Sequence, residues 1–421
     1  METTEKTAAL AGLDLEQKWG SAFWEQPYYR KLTYLTIIKG LIIAGLLIFS
    51  ISLSAQYYPE KGDWQHKSPA AFGMDTDKVN EAVDFAKANE YSGSRDLRIA
   101  ILTSFGFEPF IEIVGPTKER GGPAGMILKD GYIISEWGDI NRVDMTFSVT
   151  KSFLSTVTGL AHDYGLINSV KDPVHEYVWD GTFDGEHNMK INWEHLLNQS
   201  SDWSGTLFGM PDWGDRPSPQ EGLDDWKYRE LHEPGTSFTY NDVRVNLLAY
   251  SVLQVWRQPL PQVLKKYVMD PIGASTTWRW FGYSTSWVNV DGVKVQSVSG
   301  GGHSGGGMFI STSDMARFGL LFEREGLWKD DQIISEEWIE MARQSSPANE
   351  GYGYMWWLNR GMRSVAEAPQ SAFYASGFGG NYIVVDQKND LVIVTRWLEP
   401  SRFVEFLLTV YHALPDRSRQ S

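Results

Sequence analysis

Ser148 and Lys151 stand three residues apart in the stretch Thr146-Phe-Ser-Val-Thr-Lys-Ser-Phe153, at what reads as the start of a helix. Apolar residues follow at Phe153, Leu154, Val157, Leu160 and Ala161, three and four apart, which marks one buried helical face. Residues at i and i+3 on a helix are neighbours, with Cβ atoms ~5–6 Å apart, so the hydroxyl and the amine can meet without help from the rest of the chain. Serine is a weak nucleophile until a neighbouring base takes its proton, and a desolvated lysine can be that base. A helix N-terminus adds unpaired backbone N–H groups and the positive end of the dipole. A bare S-x-x-K also arises by chance about once in a chain of this length, so the pair needs support from elsewhere.

A second serine competes for the same role. Gly302-His-Ser-Gly-Gly306 matches the G-x-S-x-G nucleophile elbow, but that elbow needs a strand running in and a helix leaving at once. Here residues 300–307 are nearly all glycine and the next helical pattern starts only near Ser313. Ser304 therefore reads as part of a glycine-rich segment beside a cleft, with His303 a candidate to line it. The 8 histidines include no H-E-x-x-H and no close pair, and there is no cysteine. No metal and no cofactor is expected on these grounds.

The 421 residues are 42% hydrophobic and 22% charged, an ordinary globular composition. A formal charge of −15 argues against a nucleic-acid partner, because phosphate binding needs clustered Lys and Arg. Residues 32–53 form the one strongly apolar run, long enough to span a bilayer if Lys39 snorkels. Arg30 and Lys31 flank it on the N-terminal side. The expectation is a cytoplasmic segment 1–31 and an uncleaved anchor at 32–54, with the remainder exported to the periplasmic or extracellular face. Cleavage after Ser54 or Ala55 and release to the periplasm is the alternative.

The elements that must position the pair can be read in outline. Residues 75–90 make an amphipathic helix behind Asp and Thr caps. Gly125–Trp137 reads as two strands joined at Asp130-Gly131, a tight-turn signal. Residues 97–120 give no clear order. Helical patterns fill 192–199, 242–256, 261–269, 313–325 and 335–343. The loop 200–236 carries Trp203, Phe208, Trp213, Trp226 and Tyr228, too many aromatics for disorder, and is a candidate cleft wall. Residues 382–386 and 391–395 return as strands, and 403–414 closes as a helix. The pattern predicts an α+β (mixed) fold: an antiparallel sheet flanked by helices and completed by both chain ends, with an all-helical subdomain inserted at about 150–345.

These residues resemble the serine β-lactamase and penicillin-binding-protein superfamily, in its class C/esterase branch. Ser148-Val-Thr-Lys151 matches the S-x-x-K motif. Tyr240-Asn-Asp242 stands where the family has Tyr-x-Asn, and Ala375-Ser376-Gly377-Phe378 stands where it has a [K/H]-[T/S]-G strand. The resemblance spans about 68–413. It implies a β-lactamase/transpeptidase-like hydrolase domain, a Ser148 nucleophile, Tyr240 as proton relay, and an oxyanion hole from the backbone N–H groups of Ser148 and Phe378. Burial is expected to lower the Lys151 ammonium and let it take the serine proton. Asp242, His303, Ser376, Gly377, Trp203 and Trp213 are candidate substrate contacts. Two positions depart from the family: Asp242 replaces Asn, and Ala375 replaces the cation that helps hold a substrate carboxylate. The pattern is closer to the esterase and 6-aminohexanoate-dimer hydrolase members, which act on small-molecule esters and amides. The alternatives are a membrane-tethered binding or sensor protein on the same scaffold, or a β-lactamase or peptidoglycan peptidase.

Overall fold

A computed structural model describes residues 56–217, 222–361 and 365–415. Helix α1 spans Thr76–Ala88, and the Asp75 carboxylate accepts hydrogen bonds from the backbone N–H groups of Asp77 and Lys78. Such a cap is worth about 1 kcal/mol. Val79, Ala82, Val83 and Ala86 form its buried stripe, as their spacing predicts. Helix α2, Leu97–Phe105, is capped likewise by Asp96 and occupies the stretch that sequence reasoning left unordered.

Strands β1 (Ala124–Lys129) and β2 (Tyr132–Trp137) pair antiparallel, with Lys129 opposite Tyr132. The two-residue turn between them has φ of 52° at Asp130 and 82° at Gly131, the doubly positive geometry whose twist matches the strands. A short β3, Asp144–Met145, leads into the serine segment and helix α3, Thr150–Asp163. Helix α4 spans Asp242–Trp256. To the helices expected between 150 and 345 the structure adds a second sheet. Its long hairpin, β4 (Arg279–Val290) and β5 (Val293–Val298), joins β6 (Gly307–Ile310) and β3 in the order β3-β6-β4-β5. Helix α5, Thr312–Glu323, follows.

The chain then returns to the first sheet through β7 (Trp357–Leu358), β8 (Phe373–Gly377), β9 (Asn381–Asp386) and β10 (Leu391–Arg396), and ends in helix α6, Phe403–Tyr411. The sheet order is β7-β8-β9-β10-β1-β2, all antiparallel, with Ala124 opposite Arg396. Strand alternation sorts its side chains. Ile127, Val384, Leu391 and Ile393 pack with α1 and α6, while Met126, Leu128, Ile383, Val385, Val392 and Val394 pack with α3 and α5. Early and late segments thus complete one sheet, as expected.

Helix α3 is more enclosed than its apolar stripe predicts: residues 150–161 are all buried. Three of its hydroxylic residues are satisfied within the protein, while the buried Ser155 hydroxyl has no partner. Thr156 Oγ1 donates to the Ser152 carbonyl at 2.9 Å and Thr158 Oγ1 to that of Leu154 at 2.8 Å, while Ser152 Oγ donates to the Met355 carbonyl at 2.9 Å.

One expectation is corrected. No helix among the described residues is long and apolar enough to cross a membrane. A span needs about 20 apolar residues, whereas α4 has 15 and carries Arg244 and Asp242. Segments 1–31 and 32–54 lie outside the described residues. The single-pass anchor, the membrane partner and the exported placement form no part of the reading below.

Candidate active site

Ser148 lies in a 3₁₀ turn, Phe147–Val149, that runs directly into α3. The residue before it, Phe147, has φ of 48°, an uncommon conformation for a bulky side chain. The turn is held from both sides. The Phe147 ring meets Phe378 edge-on at 5.0 Å and Trp397 at 6.5 Å, and the Thr146 N–H donates to the Met308 carbonyl at 2.9 Å. Ser148 is half-buried, so its hydroxyl stays reachable.

Lys151 Nζ lies 2.9 Å from Ser148 Oγ, the contact that the helical spacing predicts. The lysine is 1% exposed and also donates to Asp242 Oδ1, at the N-terminus of α4. This partner reverses one expectation. Burial, the largest single influence, pushes the Lys151 ammonium down, and the Arg216 guanidinium acts the same way, but the Asp242 carboxylate and Tyr240 together more than offset them and the net displacement is upward. Burial likewise opposes the charged form of Asp242, yet Lys151, Arg216 and His303 together hold its carboxyl far below the usual range. Lys151 is therefore a buried ammonium donating to Ser148, not the neutral base expected from burial alone. Asp242 is its counter-ion and not a substrate contact.

Tyr240 is brought to the same place from the turn before α4. The Lys151 Nζ stands 4.7 Å from its ring centroid and the Arg216 guanidinium 5.3 Å. The ring stacks on Trp357 at 5.8 Å and meets Tyr352 edge-on at 6.3 Å. The third motif arrives on β8. Gly377 sits so close to the serine turn that an added Cβ would overlap the Thr146 carbonyl oxygen and lie 3.3 Å from the Ser148 nitrogen. Only glycine permits that approach. Phe378 follows at once, packed on Phe147, Phe105 and Tyr91. Ser376 is half-buried opposite Tyr382, and Ala375 is 1% exposed among core residues.

Sequence reasoning missed the rest of the charge cluster. Arg216, from the aromatic loop, donates to both Asp215 carboxylate oxygens at 2.8 Å and to Asp242 Oδ2 at 2.6 Å. His303 Nδ1 lies 3.0 Å from Arg216 Nη2, and its Nε2 lies 2.6 Å from Glu108 Oε2. An acidic and basic pair, Asp215-Arg216, inside the candidate cleft wall was the one available signal. His303 is 3% exposed and belongs to this cluster rather than lining an open cleft.

Two tryptophans expected near substrate lie elsewhere. Trp203 is 2% exposed, its ring N–H donating to the Thr182 carbonyl at 2.9 Å, so it is a core residue. Trp213 packs edge-on against Phe110 at 5.3 Å, with Lys227 5.5 Å from its ring. Among the described residues neither shares a hydrogen bond or ring contact with Ser148, Lys151 or Tyr240. The competing Ser304 is fully buried and its hydroxyl has no partner, while its carbonyl accepts from the Val114 and Gly115 N–H groups. Nearby, a Cβ at Gly301 would overlap Asp242 Oδ1 and stand 2.5 Å from Lys151 Nζ. The glycine run is thus the lid packed on the buried ion pair.

Known proteins share this fold. The family model described as Beta-lactamase matches residues 142–396, more than half of the chain. An Escherichia coli O157:H7 protein described as "Putative D-alanyl-D-alanine carboxypeptidase" is 24% identical over 197 residues, which is 39% of this chain and 45% of that relative. The match therefore spans less than half the length of that relative. Among solved structures, a family VIII carboxylesterase aligns with a TM-score of 0.53 at 17% identity, covering 81% of this chain and 99% of the other. A penicillin-binding-protein homologue from Caulobacter crescentus aligns with a TM-score of 0.53 at 14% identity, with the same coverages of 81% and 99%. At such identities the two structures speak for the fold alone. On the extent of the family match and on the fold, the chain belongs to the beta-lactamase family of hydrolase-fold proteins.

Proposed function

We propose that the protein is a serine hydrolase that cleaves an ester or amide of a small molecule through an acyl-enzyme on Ser148. The observation that carries this reading is the 2.9 Å contact between Lys151 Nζ and a reachable Ser148 Oγ. A buried ammonium beside a serine at a helix start has no packing purpose that a neutral side chain would not serve at lower cost. Ser148 Oγ attacks the carbonyl carbon, and the oxygen becomes an oxyanion. The backbone N–H groups of Ser148 and Phe378 receive that oxyanion, a role supported by the close approach of Gly377 to the Ser148 nitrogen.

The protonated Lys151 changes the proton path. An ammonium cannot accept the serine proton, so it donates to Oγ and stabilises negative charge there as the bond forms. Tyr240 Oη accepts the serine proton while passing its own to the leaving oxygen or nitrogen, which leaves the tyrosine unchanged. Water then repeats the sequence in reverse and releases the acid. Ala375, buried and neutral, supplies no cation for a substrate carboxylate, which favours esters and amides other than penicillins.

The test is hydrolysis of p-nitrophenyl acyl esters by wild type and Ser148→Ala, with a fluorophosphonate adduct mapped by mass spectrometry. A single adduct on Ser148 and loss of turnover in the variant are expected. Retained turnover, or an adduct on Ser304, would refute the mechanism.

A further inference from the structure

Residues 57–67 form a strap that lies against the turn between β1 and β2 with no ladder of its own: its bridges are the single pairs Glu60–Asp63 and His66–Ile133. A few contacts hold it. The Tyr57 ring stacks on Tyr132 at 4.0 Å, and the Trp64 ring N–H donates to the Gly131 carbonyl at 2.8 Å. Arg317 of α5 donates to the Pro59 and Glu60 carbonyls at 3.0 and 2.6 Å. A segment held by so few bonds opens at a fraction of the free energy of global unfolding. The strap is also one wall of a cleft of about 600 Å³, with Asp314 and Arg317 of α5 on the other side.

Facing Tyr58 of the strap is a carboxyl that the hydrolase mechanism does not use. Glu323 ends α5 and is 5% exposed. Arg324 Nη1 reaches its Oε1 only at 3.4 Å, and its buried Oε2 accepts no hydrogen bond although Arg324 Nε stands 3.1 Å away. The site opposes a negative charge in three ways. Burial removes water, and the C-terminal end of a helix carries the negative end of the dipole. Two further carboxylates face it, Asp130 from the β1–β2 turn and Asp390 from the β9–β10 turn. Arg324 and Lys129 act the other way, but Lys129 Nζ is shared with Asp130 and Asp390, at 2.5 and 3.5 Å. On the strap side, Tyr58 packs 5.4 Å from Trp328 with the Arg324 guanidinium 6.0 Å from its ring, and Asp330 faces it. With burial the largest influence, the Glu323 carboxyl is pushed up to about 7.

The two turns cannot give way without disturbing the main sheet, and they are tied at their tips by the Asp130 N–H donating to the Asp390 carbonyl at 2.9 Å. The strap can. We propose that Glu323 is a pH-sensitive latch on the strap: uncharged, it lets residues 57–67 close against the domain; charged, it loosens them and opens the cleft they wall. Linkage fixes the direction. An open strap returns the carboxyl to water and to an ordinary value of ~4.3. The closed state is therefore favoured at low pH, weakens as pH rises from there to about 7, and changes no further above it. The latch does not depend on Ser148 or on the hydrolase reading.

Hydrogen–deuterium exchange of the full chain, read by mass spectrometry from pH 5 to pH 8 and corrected for the intrinsic rate, is the test. In wild type the protection of residues 57–67 is expected to fall about tenfold between pH 5 and pH 7 and then to level off. Glu323→Gln should hold the strap at its acid-side protection throughout. Asp390→Asn keeps a residue suited to the left-handed φ of 47° there. By removing one opposing carboxylate it should reduce the fall to about threefold. His66, on the strap and 3.4 Å from Glu136, is the other group able to give a pH response there, and His66→Gln should leave the fall intact. Protection that stays constant with pH in wild type, a fall that survives Glu323→Gln, or one that disappears in His66→Gln would each overturn the proposal.

Discussion

Two serines of this chain sit in glycine-assisted turns within reach of the same ion cluster, and only one is placed to react. Ser148 is half-buried, lies 2.9 Å from an ammonium, and has β8 pressed against its backbone nitrogen through Gly377. Ser304 is fully buried, its hydroxyl is unpaired, and its neighbours are glycines whose task is to fit over Lys151 and Asp242. The motif around Ser304 is the longer match to a nucleophile signature, yet the surroundings of Ser148 are the ones that lower a barrier. A hydroxyl becomes a nucleophile through access, a proton path and charge stabilisation, and of these only the Lys151 contact is written in the neighbouring sequence of Ser148.

The contrast can be broken in four ways. The largest effect is expected from Ser148→Ala, which should lower kcat/KM for an activated ester about 10³-fold or more, because the nucleophile and its partners act as a unit. Steady-state kinetics reads this directly, and a loss under tenfold would remove Ser148 from its role.

Gly301→Ala is next. Its Cβ would overlap Asp242 Oδ1, so the lid must lift or the ion pair must part. We expect about a 10²-fold loss of activity with a Tm lowered by several degrees. An alanine tolerated without change in either measurement would mean that the glycine run does not cover the pair.

Asp242→Asn should cost about tenfold at neutral pH and change the pH profile. Asp242 is held below its unfolded value of ~3.9, so its contribution is complete at neutral pH and is lost as pH falls through the folded value. Lys151 is held above its unfolded value of ~10.4, so its contribution is complete below that and is lost as pH rises through the folded value. The Tm difference between wild type and Asp242→Asn should therefore be flat across neutral pH and shrink at both extremes. Without the carboxylate, burial and the Arg216 guanidinium lose their main opponent at Lys151, and the alkaline limb of activity should move to lower pH. A variant more active than wild type would show instead that neutral lysine is the working form.

Ser304→Ala closes the series with the smallest effect. Activity should stay within about twofold, and removal of a buried unpaired hydroxyl should leave Tm equal or slightly higher. A large loss here would mean that the two serines had been assigned the wrong way round.

Much of this was legible because it is local. The Asp75 cap and the stripe of α1, the Asp130-Gly131 turn, and the three-residue spacing of Ser148 and Lys151 all follow from backbone periodicity over a few residues. Motif order then brought Tyr240 and the Gly377-Phe378 strand end into play. The hairpin β4-β5 was not read among the helices. Helix α2 was not read either, although Asp96 is a clear cap in retrospect.

The sequence by itself determined which side chains could carry the chemistry, the serine, the lysine and the tyrosine, and the strand and helix types that present them. Tertiary structure alone decided their charge states and access. The carboxylate that keeps Lys151 protonated lies 91 residues away, and Glu108 meets His303 across 195 residues. Desolvation and Coulomb terms depend on distance in space, so the reversal of the Lys151 expectation, the burial of Ser304 and the carboxylates gathered at Glu323 could be seen only once the loops were packed together.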